Sequence, residues 1–511
     1  MEMDEERTRS PTNTNNKNRI ISWPEIQQEF SHHQPSIARL NNGSFGCCPS
    51  SVLAAHHSFQ LRFLRHPDAF HLHVLPSALL RSRTILARLI NADHVDQISL
   101  IDNATTAAAL VLQHISRLPR NDAASASFVV VVLDCAFQAV KKSLHAYVAR
   151  AGGSVVEIHL PFPVRSHRQI IAEFRKGLER AKSLNGGKIR LAIIDHITSM
   201  PSVLIPVREL VEICREEGVE QVFVDAAHAL GTVPIDVKEI GADFYVSNLH
   251  KWFFCPPSVA VLYCRESNNN VPMPIESSLF LWTGTSRDYS AQLVVPAVME
   301  FVNRFEGGIE GIMKRNHDNV VEMGKMLANS WGTILGSPPH MCASMIMVGL
   351  PSRLCITTDD HASRQGRHTR FFMKFTLLYL NFKAVLIFFS MLASRLRTHL
   401  RECFGVEVPI YYDPATARDD DGESRAARDE DGGVITAYAR ISHQIYNTVD
   451  DYHKFRDAIN QLVKDGKFCK MLSTEGAKPY NSSWMALDPL TYIFVSCTTS
   501  HGSCVEVLPV S

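Results

Sequence analysis

The stretch "VSNLHKWFFCPP" places one lysine, Lys251, directly after His250 and at the head of an apolar run. Upstream, "VFVDAAHALG" carries an acid, Asp225, and a histidine, His228, at the end of a β-branched segment. A lysine amine is protonated at pH 7 and is then a poor nucleophile. In an apolar setting the charged form is disfavoured and the pKa falls. Trp252, Phe253 and Phe254 supply such a setting in sequence, and an uncharged amine can form a Schiff base with an aldehyde. An acid at the carboxyl end of a neighbouring strand is what pyridoxal phosphate needs. Such an acid keeps the pyridine nitrogen protonated, so that the ring acts as an electron sink. Taken singly, Asp225 reads as readily as a helix N-cap, and Lys251 as a snorkelling surface lysine. The conjunction of D-x-x-H with S-N-x-H-K favours the chemical reading.

These residues need elements to hold them. "QISLID" (97–102), "FVVVVLD" (128–134), "SVVEIHL" (154–160), "RLAIIDH" (190–196), "QVFVDAA" (221–227), "FYVSN" (244–248) and "VAVLYC" (259–264) read as strands, with helix-period segments between many of them. A continuous β-branched run marks a strand buried on both faces. The alternation predicts a doubly wound α/β domain with a mostly parallel sheet, whose ligands bind beyond the carboxyl ends of the strands. Asn103, Asp225 and Ser247 fall at such ends.

A smaller α+β domain follows over 319–467. "SMIMVGL", "EVPIYY" and "VITAYARIS" are its strands. Leu392, Leu396, Leu400 and Phe404 form one helical stripe. A second helix starts at Thr448, with Asp451 completing a capping box, and buries Tyr452, Phe455, Ile459 and Leu462. The large domain, with its N-terminal segment, occupies 20–318. Residues 1–19 are polar and read as a disordered tail; 468–511 has no clear period.

Two segments do not fit. Residues 371–392 are long and apolar enough to span a bilayer, but Lys383 near the middle would cost about 2.5–3.5 kcal/mol there. A single span would also separate a strand and a helix of one small domain. The preferred reading is an insertion over 359–391, with no membrane partner. Residues 416–433 read as a charged surface loop.

Composition limits the function classes. Of 511 residues, 45% are hydrophobic and 20% charged, and the formal net charge is zero. No bulk field therefore favours nucleic acid. The twelve cysteines include adjacent Cys47 and Cys48 but no C-x-x-C, so they read as reduced packing thiols, and no metal site is expected. The acidic, polar start has no apolar core of a secretory signal. A cytoplasmic location is expected, with an organelle left open.

"LNNGSFGCCP", "LIDNATTAAALVLQ", "VDAAHALGTVPIDVKEIGADFYVSNLHKWFFCPP" and "WTGTSRDYSAQLVVPAV" resemble the class V aminotransferase family of fold type I pyridoxal phosphate enzymes. Within it they resemble the branch of plant L-cysteine desulfhydrases, relatives of the isopenicillin N epimerase-like enzymes. The similarity covers about 20–358 and resumes from about 392 to 467. It implies a fold type I transferase: a large domain around a mostly parallel seven-stranded sheet, plus a small α+β C-terminal domain. It implies pyridoxal 5′-phosphate as cofactor, L-cysteine as substrate, and a homodimer. By the same resemblance Lys251 would carry the cofactor and Asp225 would bind its ring nitrogen, while His228 would lie near its phenolic oxygen. Ala104 and Thr105 would offer the phosphate a helix N-terminus, and Ser247 and His250 would add contacts. Phe137 would stack on the ring, and Thr285 in "TGT" would reach the neighbouring subunit's phosphate. Asn41 would face the substrate and Arg440 would clamp its carboxylate, a task suited to a planar donor fork.

The expected reaction is β-elimination of L-cysteine to pyruvate, hydrogen sulfide and ammonia. Three other readings stay open. A cysteine desulfurase would need a mobile thiolate, with Cys342 and Cys355 as candidates. An epimerase or transaminase would use Lys251 and Asp225 equally well. A non-catalytic isoform would result if 359–391 disrupts the small domain.

Overall fold

The computed structural model describes residues 20–117, 128–184, 188–265, 287–356, 395–412, 427–467, 469, 472, 492–498 and 503–509. Contacts divide the chain into a unit ending at Leu472 and a second beginning at Ser473. The segments 359–391 and 416–426, which the sequence marks as atypical, lie outside the described residues, as do 1–19.

Seven strands form the main sheet of the first unit: β1 (Ile98–Ile101), β2 (Val129–Leu133), β3 (Ser154–Ile158), β4 (Ile189–Asp195), β5 (Gln221–Asp225), β6 (Phe244–Asn248) and β7 (Ala260–Cys264). Their spatial order is β3-β2-β4-β5-β6-β7-β1. The pairs from β3 to β6 are parallel, and β7 runs antiparallel to both β6 and β1. The expected seven-stranded, mostly parallel sheet is therefore present.

Strand β2 shows why the sequence folds this way. Successive side chains of a strand point to opposite faces. Val129, Val131 and Leu133 join one apolar cluster, and Val130 and Val132 join the other. Each face is covered by helices, among them α1 (Ala104–Arg117), α2 (His167–Lys182) and α3 (Val207–Glu216). A run of five apolar residues is what a strand covered on both sides requires.

Beyond the sheet, α4 (Gly308–Trp331) serves two cores: Ile312 packs with the large sheet's cluster, and Val320, Met323 and Leu327 with another. That second cluster lies on a three-stranded antiparallel sheet of β8 (Met345–Gly349), β9 (Ile410–Tyr412) and β10 (Ala437–Ser442), in the order β9-β10-β8. The helices α5 (Arg395–Phe404) and α6 (Val449–Lys464) complete it. Leu396 and Leu400 are buried, as are Tyr452, Phe455, Ile459 and Leu462. Each such leucine contributes about 1.5–3 kcal/mol of burial. Leu392, the first residue of the expected stripe, lies outside the described residues. The capping box forms: the Thr448 N–H donates to Asp451 Oδ2 at 3.0 Å.

The described end of the charged segment departs from a solvated loop. Asp429 is buried, and its carboxylate accepts from the N–H groups of Ser352 and Gly433 at 2.9 and 2.8 Å. One acid there is a structural acceptor tying the turn to the 352–354 segment. In the second unit, β11 (Tyr492–Thr498) and β12 (Ser503–Pro509) pair as an antiparallel hairpin, where the sequence reading assigns no element. Among the described residues no helix is long and apolar enough to cross a membrane.

Candidate active site

A cavity opens where β4, β5 and β6 end. Its wall contains Lys251, Asp225 and His228 together with Ala104, Thr105 and Phe137. Residues from five separate stretches meet there because parallel strands deliver their carboxyl ends to one side of a sheet.

Lys251 lies in the short helical turn Leu249–Trp252 that follows β6. Its Nζ is 3.1 Å from Nε2 of His228. Burial pulls the amine down to about 8, against the opposing pull of Asp225 and Asp195. Asp225 is the last residue of β5 and is buried. Burial raises its pKa, while a hydrogen bond from the Ala227 N–H at 3.1 Å and the charge of Lys251 oppose the rise. His228 is buried too. Desolvation, and then the charge of Lys251, hold it well below the usual histidine range.

The first turn of α1 supplies backbone donors. Asn103 caps it, its Oδ1 accepting from the Thr106 N–H at 2.9 Å. The Ala104 N–H donates to Asn248 Oδ1 at 2.9 Å. The Thr105 N–H has no partner among the described residues. A helix N-terminus with an uncommitted donor suits an anion. Phe137 is 49% exposed while lining the cavity, so its ring is open to stacking on a flat group.

Other expected residues are placed differently. Ser247 does not line the cavity. Its hydroxyl donates to Ala226 O at 2.7 Å and accepts from the Leu230 N–H at 3.0 Å, so it bridges β6 to the turn after β5. The reason is the strand's two-residue period: Ser247 points into the protein between flanking residues that face the other way. His250 is also absent from the wall, with its Nδ1 3.2 Å from Val259 O. Thr285 lies outside the described residues.

Asn41 and Arg440 meet directly, 399 residues apart in sequence. Arg440 is buried in β10, and its Nη2 donates to Asn41 Oδ1 at 2.9 Å and to Ser44 Oγ at 2.7 Å. Its Nη1 donates to Ser199 O at 2.9 Å and to Ser199 Oγ at 3.2 Å. Ser199 itself lines the cavity. All four acceptors are neutral, and the Arg440 Nε has no partner among the described residues. The guanidinium is therefore a buried cation one residue behind the cavity wall.

Asp195, Asn248 and Asn42 belong to the site, although the sequence reading did not single them out, and Trp252, read only as apolar surroundings, also bonds His228. Asp195 ends β4 in register with Asp225. Burial, and then the charge of Asp225, push its carboxyl well above the usual range. Its signal was available: "LAIID" ends on an acid as "VFVD" does. Asn42 donates from Nδ2 to Lys251 O at 3.0 Å, and its N–H donates to Ser442 Oγ at 2.8 Å. It thus ties the lysine turn to β10, a role with no local signature. Gly46 completes that junction. It has φ 71°, and a Cβ there would collide with the His250 carbonyl.

Pyridoxal 5′-phosphate fits these residues. An amine of lowered pKa, an acid for a ring nitrogen, an open aromatic face and a helix N-terminus surround one cavity. In addition, Asp195 Oδ2 is a buried polar atom without a partner among the described residues.

Comparison with known proteins agrees. The family model "Aminotransferase class-V" matches residues 49–308. The "L-cysteine desulfhydrase" of Arabidopsis thaliana is 55% identical over 463 residues, covering 89% of this chain and 94% of that one. A second Arabidopsis thaliana relative, "Probable L-cysteine desulfhydrase, chloroplastic", is 53% identical over 89% of this chain and 88% of its own. Among solved structures, a C-DES variant with glycine covalently linked to its PLP cofactor aligns with TM-score 0.59 at 14% identity, covering 85% of this chain and 98% of that one. The fold is the same at a sequence distance where only architecture is shared, and close relatives match along nearly the whole length. The chain belongs to the class V aminotransferase family, and its cofactor is pyridoxal 5′-phosphate.

Proposed function

We propose that the protein is an L-cysteine desulfhydrase, converting L-cysteine and water to pyruvate, hydrogen sulfide and ammonia. The observation that carries this reading is 55% identity along nearly the full length of a relative bearing that name, joined to a cavity in which Lys251, Asp225 and His228 converge. When bound, pyridoxal phosphate supplies an electron sink for charge developing at the substrate α-carbon.

The chain's own residues do the rest. Lys251 would hold the cofactor, and its amine, when free, would take the proton from the substrate α-carbon; the amine pKa of about 8 leaves a usable uncharged fraction near neutrality. Asp225 keeps a proton on the ring nitrogen by charge pairing in a buried site. His228 presents a ring nitrogen beside Lys251. Thr105 and the α1 N-terminus hold the phosphate, and Phe137 covers a ring face. Arg440, steadied by Asn41, Ser44 and Ser199, receives the substrate carboxylate.

The fate of sulfur separates this reading from a desulfurase. Among the described residues no cysteine lines the cavity. Cys342 is buried, its thiol donates to Pro339 O at 3.0 Å, and burial pushes its pKa up to about 12. A thiol held in this way is a poor sulfur acceptor, because the thiolate is the nucleophile. Incubating purified protein with L-cysteine and measuring sulfide, pyruvate and alanine together tests the claim. Equal sulfide and pyruvate support it, and alanine as the main product rejects it.

The assembly is proposed as a homodimer and the compartment as the cytoplasm. The plastid is the competing location, because one relative is named chloroplastic. Sedimentation and fractionation test the two points.

A further inference from the structure

Both ring nitrogens of His228 have partners. Trp252 Nε1 lies 3.3 Å from Nδ1, and Lys251 Nζ lies 3.1 Å from Nε2. An indole N–H only donates, so Nδ1 must offer its lone pair. His228 is neutral, since burial and then the charge of Lys251 hold its pKa well below the usual value. A neutral imidazole carries one hydrogen, and here it sits on Nε2. We propose that Trp252 is a positioning residue whose indole N–H selects the Nε2–H tautomer of His228 and so aims a hydrogen-bond donor at Nζ of Lys251.

The consequence falls on the lysine. A donor at Nε2 requires an acceptor opposite, which the uncharged amine is and the ammonium is not. Trp252 therefore biases Lys251 toward its free base through one intervening ring. The indole is held where it is needed: it is 1% exposed, a Cβ on Gly43 would lie 3.3 Å from its Cζ2, and one on Gly231 would lie 2.5 Å from the Trp252 carbonyl oxygen. Lys251 is also faced by Asp225, Asp195 and Arg440, and His228 by Arg440 and His250. Those groups stay in place when Trp252 is altered. The tautomer stands on geometry alone, and only its effect on turnover rests on the desulfhydrase reading.

The experiment compares full-length protein with Trp252→Phe and with benzothienylalanine at 252, which keeps the ring shape but lacks the N–H. Isotope-labelled histidine, with His228 assigned through its loss in His228→Asn, reports which ring nitrogen is protonated, with and without cofactor. The expected result is a single Nε2–H form in the parent and a mixed or reversed form in both variants. The pH midpoint for pyridoxal phosphate uptake by Lys251 should then rise. Turnover should fall roughly 10–100-fold, by analogy with the cost of losing partners that orient metal-bound histidines, with KM little changed. An unaltered tautomer in the benzothienyl protein overturns the proposal. So does an effect seen in Trp252→Phe alone, which would assign the change to packing. A parent protein that fails to release sulfide from L-cysteine would sink the functional reading and leave the tautomer result standing.

Discussion

Two cations approach the cavity, Arg440 buried and Lys251 half-buried, and they are treated in opposite ways. Arg440 makes four hydrogen bonds to neutral acceptors. Burial lowers its pKa only to about 10, so it remains a cation at neutral pH. Lys251 has a histidine nitrogen at Nζ and a pKa of about 8. About a tenth of it is therefore uncharged at pH 7. The delocalised guanidinium keeps its charge where an ammonium loses it. The different head groups and partners thus make one residue a clamp and the other a nucleophile and base.

The widest gap between the two should appear in turnover. Lys251→Ala is expected to lower sulfide release by ~10⁴-fold or more, since a positioned base alone contributes ~10²–10⁴ and cofactor attachment is lost as well. Arg440→Leu should instead raise KM roughly 10–100-fold, the equivalent of hydrogen bonds to a charged group of about 1.5–3 kcal/mol, with a smaller change in kcat. Steady-state kinetics on both variants decides the matter, and equal losses of kcat would erase the distinction.

Asp225→Ala should cost ~10²–10⁴ in kcat, whereas Asp102→Ala should cost little. Asp102 precedes the same helix, but it pairs with Arg287 at 3.1 Å and is partly exposed. Comparable rates for the two variants would remove Asp225 from the electron sink.

The lysine's pKa has a sign that a titration reads directly. Its value falls from the ordinary 10.5 to about 8, so the uncharged amine gains population as pH rises through about 8. Only that form adds to an aldehyde. Uptake of pyridoxal phosphate by cofactor-free protein, followed by visible absorbance, should therefore speed up across that pH and level off above it. A rate that keeps climbing beyond that pH without levelling off would place Lys251 in a wetter setting than the cavity provides.

The smallest effect is expected at sulfur. Cys342→Ala combined with Cys355→Ser should leave sulfide release within about twofold, because a desulfhydrase needs no protein thiolate to capture sulfur. A folded, cofactor-loaded double variant without activity would favour a desulfurase.

Much of this was legible from local pattern. The unbroken β-branched run at 128–134 named the strand covered on both faces, which has no polar position to interrupt it, and shorter apolar segments named its neighbours. The alternation of strand and helix then implied a parallel sheet and a site at its carboxyl ends, which is how Asp225, Ala104, Thr105 and Lys251 were read together. Ser247 was misplaced, since a phosphate contact and an internal bridge look the same until the strand's facing is known. Asp195 went unmarked because an acid ending a strand carries meaning only beside its neighbour in register.

By itself the sequence determined what chemistry the chain carries: an amine in an apolar run, an acid and a histidine at a strand's end, and the periods that build the sheet. Those signals are written within a few residues of one another. The tertiary structure alone decided the partners. Asn41 meets Arg440 across 399 residues, Asn42 ties the lysine turn to Ser442, and Trp252 meets a ring from another strand's end. The physical reason is that hydrogen-bond direction and desolvation depend on distances in space, which packing sets and chain order does not record.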